Sequence, residues 1–165
     1  MNKILADMHT HTIASGHAYA TLTEMCKEAA NKGLEIYGIT EHSSGTPGTC
    51  ADIYFQNLRV VPRDLFGLDL RLGAEINIID YNGTLDLDQK YIDRLDFIIA
   101  VIHSVCYKFG SKEENTAAII NAIKNPNVNI ISHPDDGRCP LDYEALVQAA
   151  KEYHVLLEIN NNALR

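Results

Sequence analysis

An α/β fold built on a parallel sheet is what this sequence predicts, and three observations predict it. Six short apolar runs recur along the 165 residues, helical patterns fill most of the gaps, and the runs are apolar on both faces. Strands buried on both faces belong to parallel sheets covered by helices.

In order, the predicted strands span residues 4–8, 36–40, 70–76, 97–102, 128–132 and 155–159. Thr21-x-x-Glu24 is a capping-box pattern that opens a helix carrying Met25, Ala29 and Ala30, stopped by Gly33. Residues 43–64 are broken by Gly45, Pro47, Gly48 and Pro62 and read as a long loop with one short helix near 55–60. Asn82-Gly83 marks a small hairpin after the third strand. Ser111-x-x-Glu114 opens another helix, with Ala117, Ile120 and Ile123, that ends at Asn125-Pro126. Asp142 caps a last one, with Leu146, Val147 and Ala150 as its buried stripe. Residues 1–165 read as a single domain without repeat or linker.

Composition narrows the function. A 46% hydrophobic and 22% charged chain is ordinary for a globular protein, and no apolar stretch approaches the ~20 residues of a membrane span. With no signal-peptide pattern at the N-terminus, a cytoplasmic location is expected. Cys26, Cys50, Cys106 and Cys139 are scattered without a Cys-x-x-Cys pair, which argues against a zinc ribbon and against disulfides. Cys26 and Cys106 read as packing residues. The net charge of −8 disfavours non-specific nucleic-acid binding. Bound divalent cations would offset that charge locally and let an acidic protein take an anionic substrate. No Gly-x-Gly-x-x-Gly or Gly-Lys-Ser/Thr loop supports nucleotide binding.

Ligands of parallel α/β folds bind where strands end at their carboxyl edge. Here strand one ends in His9 and His11, strand two in Glu41-His42, strand three in Glu75, strand four in His103 and strand five in His133. Strand six carries Glu158 and Asn160, and His17 lies in the first loop. Of seven histidines only His154 falls at a strand's beginning. A single such residue is usually a satisfied polar side chain, but independent histidines have no reason to share one edge. Seven nitrogen and oxygen donors at one mouth need a metal or a complete hydrogen-bond network. Imidazole with carboxylate suits zinc, manganese or iron, and seven donors imply two or three ions.

The segments Asp7-Met8-His9-Thr10-His11-Thr12, Thr40-Glu41-His42, Gly73-Ala74-Glu75, Ile102-His103, Ile131-Ser132-His133-Pro134 and Leu157-Glu158-Ile159-Asn160-Asn161 resemble the PHP (polymerase and histidinol phosphatase) family. Its small stand-alone phosphoesterase branch is the nearest match. The resemblance covers essentially the whole chain; its motifs are specific as a set and weak singly. It implies a distorted (β/α)7 barrel, two or three divalent metal ions, and hydrolysis of a small phosphomonoester by metal-activated water. It further implies that His9 and His11 bind a first metal. Glu75 would bridge to a second held by His103 and His133, and His17 and His42 would belong to a third. Asp7 and Glu41 are expected to support the ligands from behind, Glu41 standing where relatives commonly carry Asp. Arg138, in the loop Asp135-Asp136-Gly137-Arg138, is a candidate phosphate contact beside its plainer reading as a solvated loop cation.

The family's last motif, Ser-Asp-x-His on a seventh strand, has no counterpart before Arg165. The expectation is therefore a barrel of the first six strands with an open edge, covered by self-association or by a second polypeptide. Two rivals to a small-molecule phosphoesterase follow: a metal-binding remnant without catalysis, and an enzyme for histidinol phosphate or for nucleic-acid ends.

Overall fold

Six parallel strands pair in the order in which they occur in the sequence. They are β1 (Ala6–Asp7), β2 (Ile36–His42), β3 (Asp69–Asn77), β4 (Phe97–Val101), β5 (Val128–Ile131) and β6 (Leu156–Leu157). Between them lie α1 (Leu22–Asn31), α2 (Ile53–Asn57), α3 (Gln89–Ile92), α4 (Lys112–Ile123) and α5 (Tyr143–Tyr153). The computed structural model describes residues 4–135 and 137–160.

The sheet is curled. Six flat strands would put β1 and β6 about 24 Å apart at the usual interstrand spacing. Instead His9 Nδ1, just past β1, lies 3.0 Å from Glu158 Oε1, just past β6. The arrangement is a half-barrel whose carboxyl-edge mouth is drawn together by side chains.

Alternation along β3 separates core from site. Leu70, Leu72, Ala74 and Ile76 are fully buried and join Ile98 and Ala100 of β4 under the helices. The helices answer with Cys26 and Ala29 from α1, Ala118, Ile119, Ala122 and Ile123 from α4, and Leu146, Ala149 and Ala150 from α5. Glu75 and Asn77, on the other parity, face the inside of the curl.

The predicted caps form. Thr21 with Glu24 and Ser111 with Glu114 make reciprocal capping boxes, and Asp142 Oδ1 accepts the Ala145 N–H. The hairpin closes through an antiparallel bridge between Ile78 and Leu85. Its Gly83 has φ +80°, and a Cβ there would meet the Ala122 nitrogen at 2.5 Å. Residues 53–60 hold α2 and one 3-10 turn, as expected of the long loop.

Four expectations shift. β1 and β6 shrink to two residues each, because each pairs on one side only. β2 runs on to His42, which places Glu41 and His42 inside a strand rather than after it. Val147 is half exposed, one step off the α5 stripe of Leu146, Ala149 and Ala150. Cys26 is core, but Cys106 is only partly buried in the turn after β4, where its N–H reaches the His103 carbonyl. Among the described residues no helix is long and apolar enough to cross a membrane.

Leu72 sits at the centre of this packing, so Leu72→Ala is expected to cost about 2–5 kcal/mol. Removing the α4 cap with Ser111→Ala should cost about 1 kcal/mol. Val60→Ala, at an exposed position, should stay within about 0.5 kcal/mol. Urea midpoints at constant slope measure all three.

Candidate metal centre

Each donor reaches the mouth by a local backbone rule. His9 and His11 are two residues apart on extended chain and face the cleft, while the alternate residues Thr10 and Thr12 are buried on the β2 side. Thr10 donates its hydroxyl to the Gly38 carbonyl at 2.6 Å, and the Thr40 N–H reaches Thr10 O at 2.9 Å. His42 and Glu75 are register partners across β2 and β3, so their side chains leave the sheet together. Asn77 pairs with Val101, which carries His103 to the same side two residues later. His133 follows β5 with φ +27°, an uncommon value for a residue with a Cβ, and its N–H is tied to Glu158 Oε2 at 2.7 Å.

Glu75 is the hub. It is 1% exposed, and five imidazole nitrogens lie within 4 Å of its carboxylate. Oε1 faces His9 Nε2 (3.2 Å), His133 Nε2 (3.4 Å) and His103 Nε2 (3.9 Å), and it accepts the Ser132 hydroxyl at 2.8 Å. Oε2 faces His42 Nδ1 (2.7 Å) and His11 Nε2 (3.4 Å). His17 joins through His42, their Nε2 atoms 2.6 Å apart. These seven side chains, with Glu158 and Asn160, line a cleft of about 360 Å³.

Behind the inward-facing nitrogens stands an outer layer. His9 Nδ1 meets Glu158 Oε1. His103 Nδ1 meets Asn77 Oδ1 at 2.8 Å, and Asn77 Nδ2 donates to Asp86 Oδ2 at 2.8 Å. His11 Nδ1 meets the Ser15 hydroxyl at 3.0 Å, and Ser15 donates to Glu41 Oε2 at 2.5 Å. Such partners fix which ring nitrogen is free for a ligand. Glu41 lies on this layer; it is fully buried and also receives Thr12 and Tyr54.

Ser15, Asn77 and Asp86 were not foreseen. Asn77 follows Glu75 at the same parity, the one sequence signal that could have found it. Among the described residues Asp7 accepts the His9 N–H at 3.3 Å and is not among those that line the cleft. Arg138 lines a separate small cavity with His133, Phe109 and Leu141, not the cleft itself. Asp136 and Asn161 lie outside the described residues. His154 caps α5 in a left-handed conformation, away from the site.

The charges are strongly coupled. Burial alone would drive His9 towards its neutral form, but the Glu158 and Glu75 carboxylates hold its pKa up at about 10. Burial opposes the charge of Glu75 too, yet His11, His133, His42 and His9 keep its pKa well below the ordinary range. His103 is pushed down to about 4 by burial and by the surrounding imidazoles, against the pull of Glu75.

The donor set fits metal ions. His42 Nδ1 and Glu75 Oε2 are buried and close but misaligned, so neither has a hydrogen-bond partner. An orphaned nitrogen and oxygen at one point are costly unless a cation lies between such groups. Three groups have ligand atoms mutually within 4.8 Å: His9, His11 and Glu75; His42, Glu75 and His103; His11, His17 and His42. His11, His42 and Glu75 are thus each shared between two groups, and His133 stands outside all three while touching Glu75.

A curled parallel sheet with a histidine–carboxylate cluster at its carboxyl edge makes this an α/β protein whose donor groups could hold a metal ion. The PHP domain family matches residues 7–162, and the chain belongs to that family. It is similar to a probable phosphatase of Acetivibrio thermocellus, 47% identical over 98% of this chain and 67% of the relative. A probable phosphatase of Caldicellulosiruptor saccharolyticus is 50% identical over 94% of this chain and 65% of the relative. The chain therefore spans about two thirds of the length of these relatives. In fold it resembles, with a TM-score of 0.58, the histidinol phosphate phosphatase of Lactococcus lactis solved with zinc, L-histidinol and phosphate. That protein is 19% identical, and the match covers 94% of this chain and 72% of that one.

A pH signature follows for the metal-free protein. The folded pKa of His9 lies above its ordinary 6.5, so its contribution is complete below pH 6.5 and is lost as pH rises through about 10. Stability measured by urea unfolding in chelator should fall across that window, and the fall should be smaller in His9→Asn.

Proposed function

We propose that this chain is a metal-dependent phosphoesterase that hydrolyses a small phosphomonoester. The convergence of five imidazoles on one buried carboxylate, with a sixth, His17, against His42, carries the proposal, with the relatives named probable phosphatases as support. His9, His11, His17, His42, Glu75, His103 and His133 would hold two or three divalent ions, zinc, manganese or iron. Bound ions of this kind neutralise charge on phosphoryl oxygens and activate water as the nucleophile.

The chain's own groups prepare that chemistry. Glu75 supplies negative charge at the centre, and Glu158, Ser15 and Asn77 turn the free nitrogens of His9, His11 and His103 inward. Among the described residues no lysine or arginine lines the cleft, so the substrate's charge would be met by the ions. The two serine hydroxyls beside the cluster are both engaged with carboxylates: Ser15 donates to Glu41 and Ser132 to Glu75. We place the protein in the cytoplasm as one domain, with all four cysteines as free thiols. We further propose self-association along the edges of β1 and β6, where Ile4, Leu156 and Ile159 are more than half exposed.

Protein purified with added zinc or manganese should contain at least two ions per chain and hydrolyse p-nitrophenyl phosphate. Chelation should abolish turnover and metal should restore it. Glu75→Gln should lower metal content and reduce turnover at least about 100-fold. Metal-free protein with undiminished turnover would sink the proposal. Light scattering should give a mass above 18.3 kDa.

A further inference from the structure

We propose that Ser15 is a positioning residue for this site: its hydroxyl links Glu41 to His11 and sets which nitrogen of His11 carries the hydrogen, so that the nitrogen facing the cleft keeps its lone pair. The inference rests on the assignment of the cluster as a metal centre.

Valence decides the direction of the link. A serine hydroxyl has one proton and two lone pairs. Ser15, 1% exposed, has three partners: Glu41 Oε2 at 2.5 Å, the His42 N–H at 3.1 Å and His11 Nδ1 at 3.0 Å. The His42 amide can only donate. Glu41 is itself surrounded by donors: the Thr12 N–H reaches both oxygens and the Thr12 hydroxyl reaches Oε1 at 2.5 Å. The Thr12 hydroxyl is free to donate because its own lone pair receives the Ala14 N–H. The Ser15 proton therefore goes to Glu41, and both lone pairs must receive.

His11 Nδ1 then carries a hydrogen, and its Nε2 keeps the lone pair. That nitrogen lies 3.2 Å from His9 Nε2 and 3.4 Å from Glu75 Oε2, at the centre of the cluster. Because the same hydroxyl also holds the His42 backbone, it joins the first loop to β2 at the point where two ligand-bearing segments meet. Thr12 and Gly16 bracket the short turn that carries Ser15: Thr12 caps it, and Gly16 has φ +76°. A Cβ on Gly16 would strike the Gly48 carbonyl at 2.0 Å, so loop 43–49 closes over the turn.

The geometry separates two variants. In Ser15→Ala, His11 loses its outer partner and the two tautomers mix. In the isosteric Glu41→Gln, the amide oxygen stays with the Thr12 donors and the NH2 faces Ser15. Ser15 then receives from Gln and His42, donates to His11 Nδ1, and moves the hydrogen of His11 to Nε2.

Ring 15N shifts of His11 in the metal-free protein, and zinc affinity by competition with a chromophoric chelator, test this. The wild type should show Nδ1–H, Ser15→Ala a mixture and Glu41→Gln mainly Nε2–H. Zinc affinity should drop roughly 10- to 100-fold in both. Ser15→Thr should recover most of it. Ser111→Ala, whose effect is confined to the α4 cap, should keep wild-type affinity at a comparable stability loss.

Unchanged His11 tautomer and zinc affinity in both variants would overturn the role of Ser15. So would an affinity loss matched by Ser111→Ala, which would reduce Ser15 to a fold contact. If the wild type binds no zinc, the metal assignment fails, while the tautomer data still decide the Glu41–Ser15–His11 link.

Discussion

The site depends on a carboxylate buried where no carboxylate belongs without company. Taking Glu75 out of water costs several kcal/mol, and only nearby positive or donating groups offset that cost. It stands on the inward parity of β3, in register with His42 on one side and Ile99 on the other. Five imidazoles and the Ser132 hydroxyl gather around it because each strand brings its own polar residue to the same height. The order of the strands, their parallel direction and the bend of the sheet all serve that meeting.

β3 also explains why the cluster can be so polar without weakening the fold. One parity of the strand supplies Leu70, Leu72, Ala74 and Ile76 to the apolar layer beneath the helices, and the other supplies Glu75 to the cleft and Asn77 to the layer behind it. The two environments share a backbone but no side chains. The hydrophobic layer can then be optimised for packing while the opposite face remains crowded with groups that oppose one another.

Much of this was legible beforehand. The apolar runs located every strand, and the histidines and Glu75 showed themselves by recurring at strand ends. The outer layer was not legible. Ser15 becomes a partner of His11 only because the first loop folds back in a single turn, and Asp86 reaches Asn77 from across a hairpin. Such contacts depend on loop paths that no periodicity encodes. The ends of the sheet were overread for a related reason: hydrophobic character marks β1 and β6, but strand length depends on having neighbours to pair with. Val147 shows the same limit at finer grain, since one position of helical phase separates a buried residue from a half-exposed one.

His9 and Glu158 join the two ends of the curled sheet, one from beyond β1 and the other from beyond β6. No backbone ladder joins those strands among the described residues. The same imidazole also faces Glu75. The side chain that joins the two ends of the sheet is thus also one of the groups that would grip an ion.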